Sequence, residues 1–323
     1  MKTMFIMLLL LSGFTLVNCS PKHPKIGLLL HSYDAPRWKN DQRYLTEAVK
    51  QLNGTTMVRV ADNNAKKQID QAKELTNKGA MVLIVIPVDQ AAAAEIVRLA
   101  HKKEIRVIAY DRLINNCRLD YYVSTDNIRV GEIQAAYLTK IKPKGNYAIL
   151  GGPPNDNNSR MLYIGQMNIL QPFIERDEIQ LVFRQFADSW TEQEGYRLTL
   201  SCIQATHKKL DALICGNDAM ALGAIKALKE NHLGNNVSVA GQDADMANIN
   251  EITKGNQSVT VFKRIKTMAT TAADLAIHIA NGESIDPYFS TISNGERLVP
   301  SYLIDALAVH EGNVEMTAIA EGN

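Results

Sequence analysis

The residues of this chain best suited to chemistry recur at one kind of place, just after short apolar runs. His31 and the pair Arg37-Trp38 follow Lys25 to Leu30, and Asp111-Arg112 follow Arg106 to Tyr110. Asn155-Asp156-Asn157-Asn158 follow Gly151-Gly152-Pro153-Pro154, Asp188 and Trp190 follow Phe186, and Asn217-Asp218 follow Cys215. Gln242-Asp243 follow Gly241, and Lys263 follows Phe262. A polyhydroxylated ring needs this mixture. Each hydroxyl donates and accepts, carboxylates and amides take paired hydroxyls, guanidinium forks donate in plane, and ring C–H faces lie on aromatic rings. The set therefore points to a carbohydrate.

Each side chain also has a structural reading. Asp218 stands where a helix starting at Ala219 needs a cap, and the Asn155 to Asn158 run could cap the helix after it. Asp111, Asp243 and Lys263 could form ion pairs between domains, and Trp38 or Trp190 could be ordinary core. Their joint recurrence at strand ends favours the ligand reading. Catalytic readings find less support. The sequence has no Gly-rich loop with Lys-Ser/Thr, no His-Glu-x-x-His, no Gly-x-Ser-x-Gly, and no Gly-x-Gly-x-x-Gly after the first apolar run. Asp243-Ala244-Asp245 begins like a calcium loop, but Ala247 sits where the next oxygen ligand belongs and no glycine follows where one is required. We expect no enzyme activity, no metal and no cofactor. Lys plus Arg number 35 against 34 acids, a net charge of +1, so no broad basic surface offers itself to nucleic acid.

Residues placed this way need a scaffold that gathers strand ends, and the rest of the chain predicts one. At 323 residues, 46% of them hydrophobic, the chain exceeds what one core usually serves, so two domains are expected. From Lys25 onward, apolar β-rich runs alternate with amphipathic helical patterns, the mark of an α/β fold with doubly wound parallel sheets. The pattern restarts after Tyr121-Tyr122-Val123-Ser124, where the chain is expected to enter its second domain. In open parallel sheets ligands collect beyond the carboxyl ends of the strands, where the polar residues above fall.

The first residues read as an export signal. Lys2 precedes the run Met4 to Leu11, too short and too soon followed by polar residues for a membrane span. Leu16-Val17-Asn18-Cys19 resembles a lipoprotein signal-peptidase box, although Asn18 stands where a small residue is usual. The expectation is a signal over 1–19 with Cys19 lipidated, then a tether over 20–24; cleavage nearby with Cys19 incidental is the alternative. Cys117, Cys202 and Cys215 have no metal-ligand spacing and suggest no disulfide framework. Cys202 and Cys215 read as buried, and Cys117, in a polar loop, as the one open to solvent.

Lys25-Ile26-Gly27, Arg37-Trp38, Ala109-Tyr110-Asp111-Arg112, Gly145-Asn146-Tyr147, Asp156-Asn157-Asn158, Gly165-Gln166-Met167, Asn217-Asp218-Ala219, Gly241-Gln242-Asp243-Ala244-Asp245 and Thr260-Val261-Phe262-Lys263 carry a family likeness. On these motifs, which span nearly the whole chain from Lys25, the sequence resembles xylose-binding members of the type I periplasmic sugar-binding family, which also holds ribose- and galactose-binding proteins. The resemblance implies a monomer of two lobes joined by three crossings, about Thr125, Lys263 and Thr291. The N-terminal lobe would comprise 25–125 and 264–291, the C-terminal lobe 126–263 and 292–310, with a tail over 311–323. It implies that Arg37, Asp111, Arg112, Asp156, Asn158, Asn217, Asp243 and Lys263 hydrogen-bond a pentose, with Trp38 and Trp190 sandwiching its ring. The sugar, D-xylose by this likeness, would close the lobes, and an ABC permease or a membrane histidine kinase would read the closed form. His31-Ser32-Tyr33-Asp34-Ala35-Pro36 departs from the acidic, charged stretch of that family. A sugar-responsive repressor would need a helix-turn-helix ahead of Lys25, where the signal stands.

Overall fold

The computed structural model describes residues 23–33, 35, 37–285 and 290–315. The export signal, Cys19, most of the tether, two residues of the loop after the first strand and most of the expected C-terminal tail lie outside these residues.

The first half builds one sheet. Its elements in order are β1 (Lys25–Leu30), α1 (Arg37–Gln51), β2 (Thr55–Val60), α2 (Ala65–Asn77), β3 (Val82–Val85), α3 (Ala94–His101), β4 (Arg106–Tyr110) and β5 (Tyr121–Thr125). The chain then crosses into α4 (Asn127–Ile141), β6 (Gly145–Gly151), α5 (Asn157–Glu175), β7 (Ile179–Phe186), α6 (Glu192–Ala205), β8 (Ala212–Cys215), α7 (Asp218–Glu230), β9 (Ser238–Ala240), α8 (Met246–Thr253) and β10 (Thr260–Lys263). It returns through α9 (Ile265–Asn281), β11 (Ser290–Ser293) and β12 (Leu298–Ile304), and ends in β13 (Ala306–Val309) and a 3-10 turn (Glu311–Asn313).

The first sheet runs β11-β12-β5-β4-β3-β1-β2, parallel except for the β11–β12 pair. The second runs β7-β6-β8-β9, all parallel, beside a β10–β13 antiparallel ribbon joined to it by a bridge from Val259 to Ala240. Strand periodicity assigns the faces. Ile26, Leu28 and Leu30 pack with α1 and α9, whereas Leu29, with Leu83 and Val85, packs with α2 and α3. In the second sheet Ala148, Leu150, Leu213 and Cys215 face α6 and α7, and Tyr147, Ile149, Ala212 and Ile214 face α4 and α5. Burial on both faces explains why these strands read as continuous apolar runs.

The helices of the second lobe touch backbone to backbone. A Cβ on Gly131 of α4 would strike the carbonyl of Leu162 in α5, and one on Gly165 of α5 would strike that of Ile128 in α4. Gly195 and Gly223 repeat the device between α6 and α7.

Two expectations need correction. The third crossing falls at Asp305, between β12 and β13, not about Thr291, because β11 and β12 hydrogen-bond into the first sheet. Residues 292–304 thus belong with the N-terminal lobe. Cys117 is buried, its thiol against the Ile114 carbonyl and the Asn294 amide.

Candidate functional site

The carboxyl ends of the two sheets face one another, and the side chains found there form one connected network. Arg37 opens α1 and meets three carboxylates from three elements. Its Nη2 donates to Asp111 Oδ2 at 2.8 Å, its Nε to Asp41 Oδ2 at 3.3 Å, and its Nη1 lies 3.6 Å from Asp243 Oδ1. Asp41 lies one turn along α1, fully buried, and also accepts from Tyr110 Oη at 2.5 Å. Burial pushes its carboxyl up, with Arg37 and Tyr110 pulling the other way.

Asp111 follows β4 with φ +62°, a left-handed conformation uncommon for a residue with a side chain. The surroundings fix it. Its N–H donates to the Val123 carbonyl, and its own carbonyl accepts from Tyr122 Oη, Ser124 Oγ and Asn158 Nδ2. Burial alone would raise its carboxyl, but Arg37, Lys263 and Arg112 outweigh that and hold it at about 2. The same carboxylates act on Arg37, whose guanidinium would lose basicity on burial but is held well above its ordinary value by Asp111, Asp41 and Asp243.

Trp38 is buried beside these charges. The His31 ring meets it edge-on at 4.4 Å, and the guanidinium carbons of Arg37 and Arg112 lie 4.3 and 5.7 Å from its ring centroid. It also packs in the core of the first lobe, so the structural reading of this residue holds in part.

The second lobe supplies the facing wall. Asp156 caps α5 by accepting from the Asn158 N–H, and it also accepts from Gln90 Nε2 at 3.1 Å and Trp190 Nε1 at 3.1 Å, with Arg112 Nε at 3.6 Å. Asn158 Nδ2 reaches the Asp111 carbonyl and Oδ1 at 3.1 and 3.2 Å. Trp190 lies against Gly152 and Gly216, where any Cβ would collide with its ring. Asp243 has φ +103°, and Lys263 Nζ, at the end of β10, lies 3.2 Å from its Oδ1.

Asn217, not Asp218, is the N-cap of α7. Asn217 Oδ1 accepts from the Met220 N–H at 2.9 Å, and its Nδ2 points to the Trp190 carbonyl at 3.4 Å. Asn155 and Asp188 are exposed and lie outside the network; the Asp188 N–H instead donates to Glu194. Sequence reasoning missed Asp41, which looks like part of a polar helix face, and Gln90. The latter sits in the loop after β3, tied to Asn115, and its Oε1 accepts from the Asn157 N–H at 3.1 Å across the cleft.

Two parallel-sheet lobes whose strand ends meet through carboxylates, amides, cations and indoles from both sides have the build of a solute receptor. The profile of the periplasmic binding protein domain matches residues 26–284, and the chain belongs to that family. It is 36% identical to the D-xylose-binding periplasmic protein of Escherichia coli, an alignment covering 100% of this chain and 98% of that one. It is 37% identical to the D-xylose-binding periplasmic protein of Haemophilus influenzae, covering 100% and 97%. An ABC transporter solute binding protein from Clostridium phytofermentans, solved with bound β-D-glucose, superposes with a TM-score of 0.85 at 28% identity, over 92% of this chain and 97% of that one. The fold is the type I periplasmic-binding-protein fold.

Proposed function

We propose that this chain binds a neutral monosaccharide, D-xylose foremost, in the cleft between its lobes and presents it from the periplasm to an ABC-type permease without transforming it. The observation that carries the reading is the network of Arg37, Asp111, Asp243 and Lys263, in which groups from both lobes meet within hydrogen-bonding or ion-pair range. Arg37, Asp111, Arg112, Asn158, Asn217, Asp243 and Lys263 would exchange part of their mutual contacts for sugar hydroxyls, and Trp38 and Trp190 would flank the ring. Asp156 would hold the wall that carries Trp190.

The charge balance supports a neutral ligand. Three cations, Arg37, Arg112 and Lys263, already face Asp41, Asp111, Asp156 and Asp243, so a sugar acid would meet a cleft whose positive charge is spent. A sugar that gains contacts on both lobes stabilises the closed arrangement by that gain, and the closed surface is what a permease reads. Export under the N-terminal signal, with lipid on Cys19, would keep the receptor at the membrane.

The reading is tested by thermal-shift and tryptophan-fluorescence titrations with D-xylose, L-arabinose, D-ribose, D-glucose and D-glucuronate. Saturable stabilisation is expected with D-xylose and none with D-glucuronate. Preference for the sugar acid would overturn the neutral-sugar assignment.

A further inference from the structure

Asp218 lies outside the ligand wall, yet it is fully buried and carries more directed hydrogen bonds than a helix terminus requires. Its Oδ1 accepts from Gln257 Nε2 at 3.0 Å and its Oδ2 from the Asp245 N–H at 3.0 Å, while Thr260 Oγ1 lies 2.9 and 2.8 Å from the two oxygens. Its main chain joins in, with the N–H donating to the Gln242 carbonyl and the carbonyl accepting from Asn248 Nδ2. These partners come from the turn after β9, from α8, from the loop that follows it and from β10.

They converge on the turn that presents Asp243. Asp243 and Ala244 have φ +103° and +56°, two consecutive non-glycine residues at positive φ, a conformation that lasts only where the surroundings over-determine it. Gln242 Nε2 ties one end of the turn to the Gly216 carbonyl, and the Asp243 N–H donates to Val261. The Ala244 N–H donates to Thr260 Oγ1 and the Asp245 N–H to Asp218. Gly241 is required beside them, because a Cβ there would strike Asp218 Oδ1.

We propose that Asp218, acting with Thr260, is a positioning residue that locks the strained Gln242–Asp245 turn and so fixes the Asp243 carboxylate towards Arg37, Lys263 and the ligand. The proposal rests on the sugar-binding reading for the affinity it explains. Asp218 touches no ligand itself; its effect passes through Asp243.

Thr260→Val keeps the side-chain volume but removes the hydroxyl, and Thr260→Ser restores it, so the pair isolates the brace even where Asp218→Asn fails to fold. Calorimetry with D-xylose is paired with amide hydrogen exchange at Ala244 and Asp245 in the sugar-free protein. Thr260→Val is expected to bind roughly tenfold more weakly, the order of one lost buried hydrogen bond. The two amides should exchange faster, Thr260→Ser should behave as wild type, and no further loss should appear in an Asp243→Ala background. Wild-type affinity in Thr260→Val, or a loss that persists in full without the Asp243 carboxylate, would overturn the proposal. If the wild type binds no sugar at all, the functional reading fails separately. The exchange arm then decides the brace, with faster exchange in Thr260→Val upholding it and unchanged exchange overturning it.

Discussion

Asp111 shows how much of the site rests on single charges. Its carboxyl is held at about 2 against the ordinary 3.8, so the folded state favours its ionised form. A depressed folded value means stability that is present above the unfolded pKa of about 3.9 and lost as the pH falls through the folded one. Asp111→Asn is therefore expected to cost about 2 kcal/mol at pH 7 by that linkage. The gap from wild type should close between about pH 4 and pH 2, as urea unfolding across that range will show. A gap that stays constant with pH would mean that the Arg37 pairing contributes no charge-dependent stability. Most site residues were legible one by one, since strand-end Asp, Arg, Asn and Trp announce themselves by type and place. Asp41 was not, because a carboxylate four residues after Arg37 on a helix reads as a solvated pair; only Tyr110 and the burial beneath it reveal its role.

The elements explain why the α/β alternation was readable and where it failed. Strands covered on both faces must be apolar throughout, so β1, β3, β4, β6 and β8 stand out from the sequence. β12 did not. It contains Pro300 and Ser301, and proline within a run argues against a strand unless its missing N–H faces a position that needs no donor. The third crossing, which the family resemblance implies about Thr291, falls instead after β12, because that strand pairs with β5 of the first sheet. The α7 cap was misassigned by one residue because Asn217 and Asp218 are both capable caps, and only the extended backbone of Asn217, at φ −151° and ψ 178°, decides between them. The close helix pairs give a prediction of their own. Gly165→Ala forces a methyl into the Ile128 carbonyl of α4, a backbone atom with no rotamer to yield. It should destabilise the second lobe by roughly 1–3 kcal/mol, measured as a lowered urea midpoint, while Gln204→Ala on the exposed side of α6 should change it little.

At the scale of the whole molecule, the lobes are joined by direct contacts as well as by the three crossings. Gln90, held by Asn115 in the first lobe, both donates to Asp156 and accepts from the Asn157 N–H at the start of α5 in the second. Nothing in the run Pro87-Val88-Asp89-Gln90 signals this, since the contact exists only once the lobes face each other. Gln90→Ala should enlarge the radius of gyration of the sugar-free protein in X-ray scattering. It should also weaken every bound sugar by the same factor, roughly 3- to 10-fold, because it shifts the closure equilibrium without touching the ligand. An unchanged scattering curve would show that Gln90 does not hold the lobes together.

The central claim is that one cleft, built from both lobes, receives a neutral sugar through the Arg37, Asp111, Asp243 and Lys263 network. Calorimetric titration of the chain from Ser20 with D-xylose, for the wild type and for Asp243→Ala, tests it most directly. The account predicts saturable one-site binding in the wild type and affinity reduced roughly 10- to 100-fold in the variant, as expected for loss of a charged hydrogen-bonding partner. Undiminished xylose binding by Asp243→Ala would contradict it.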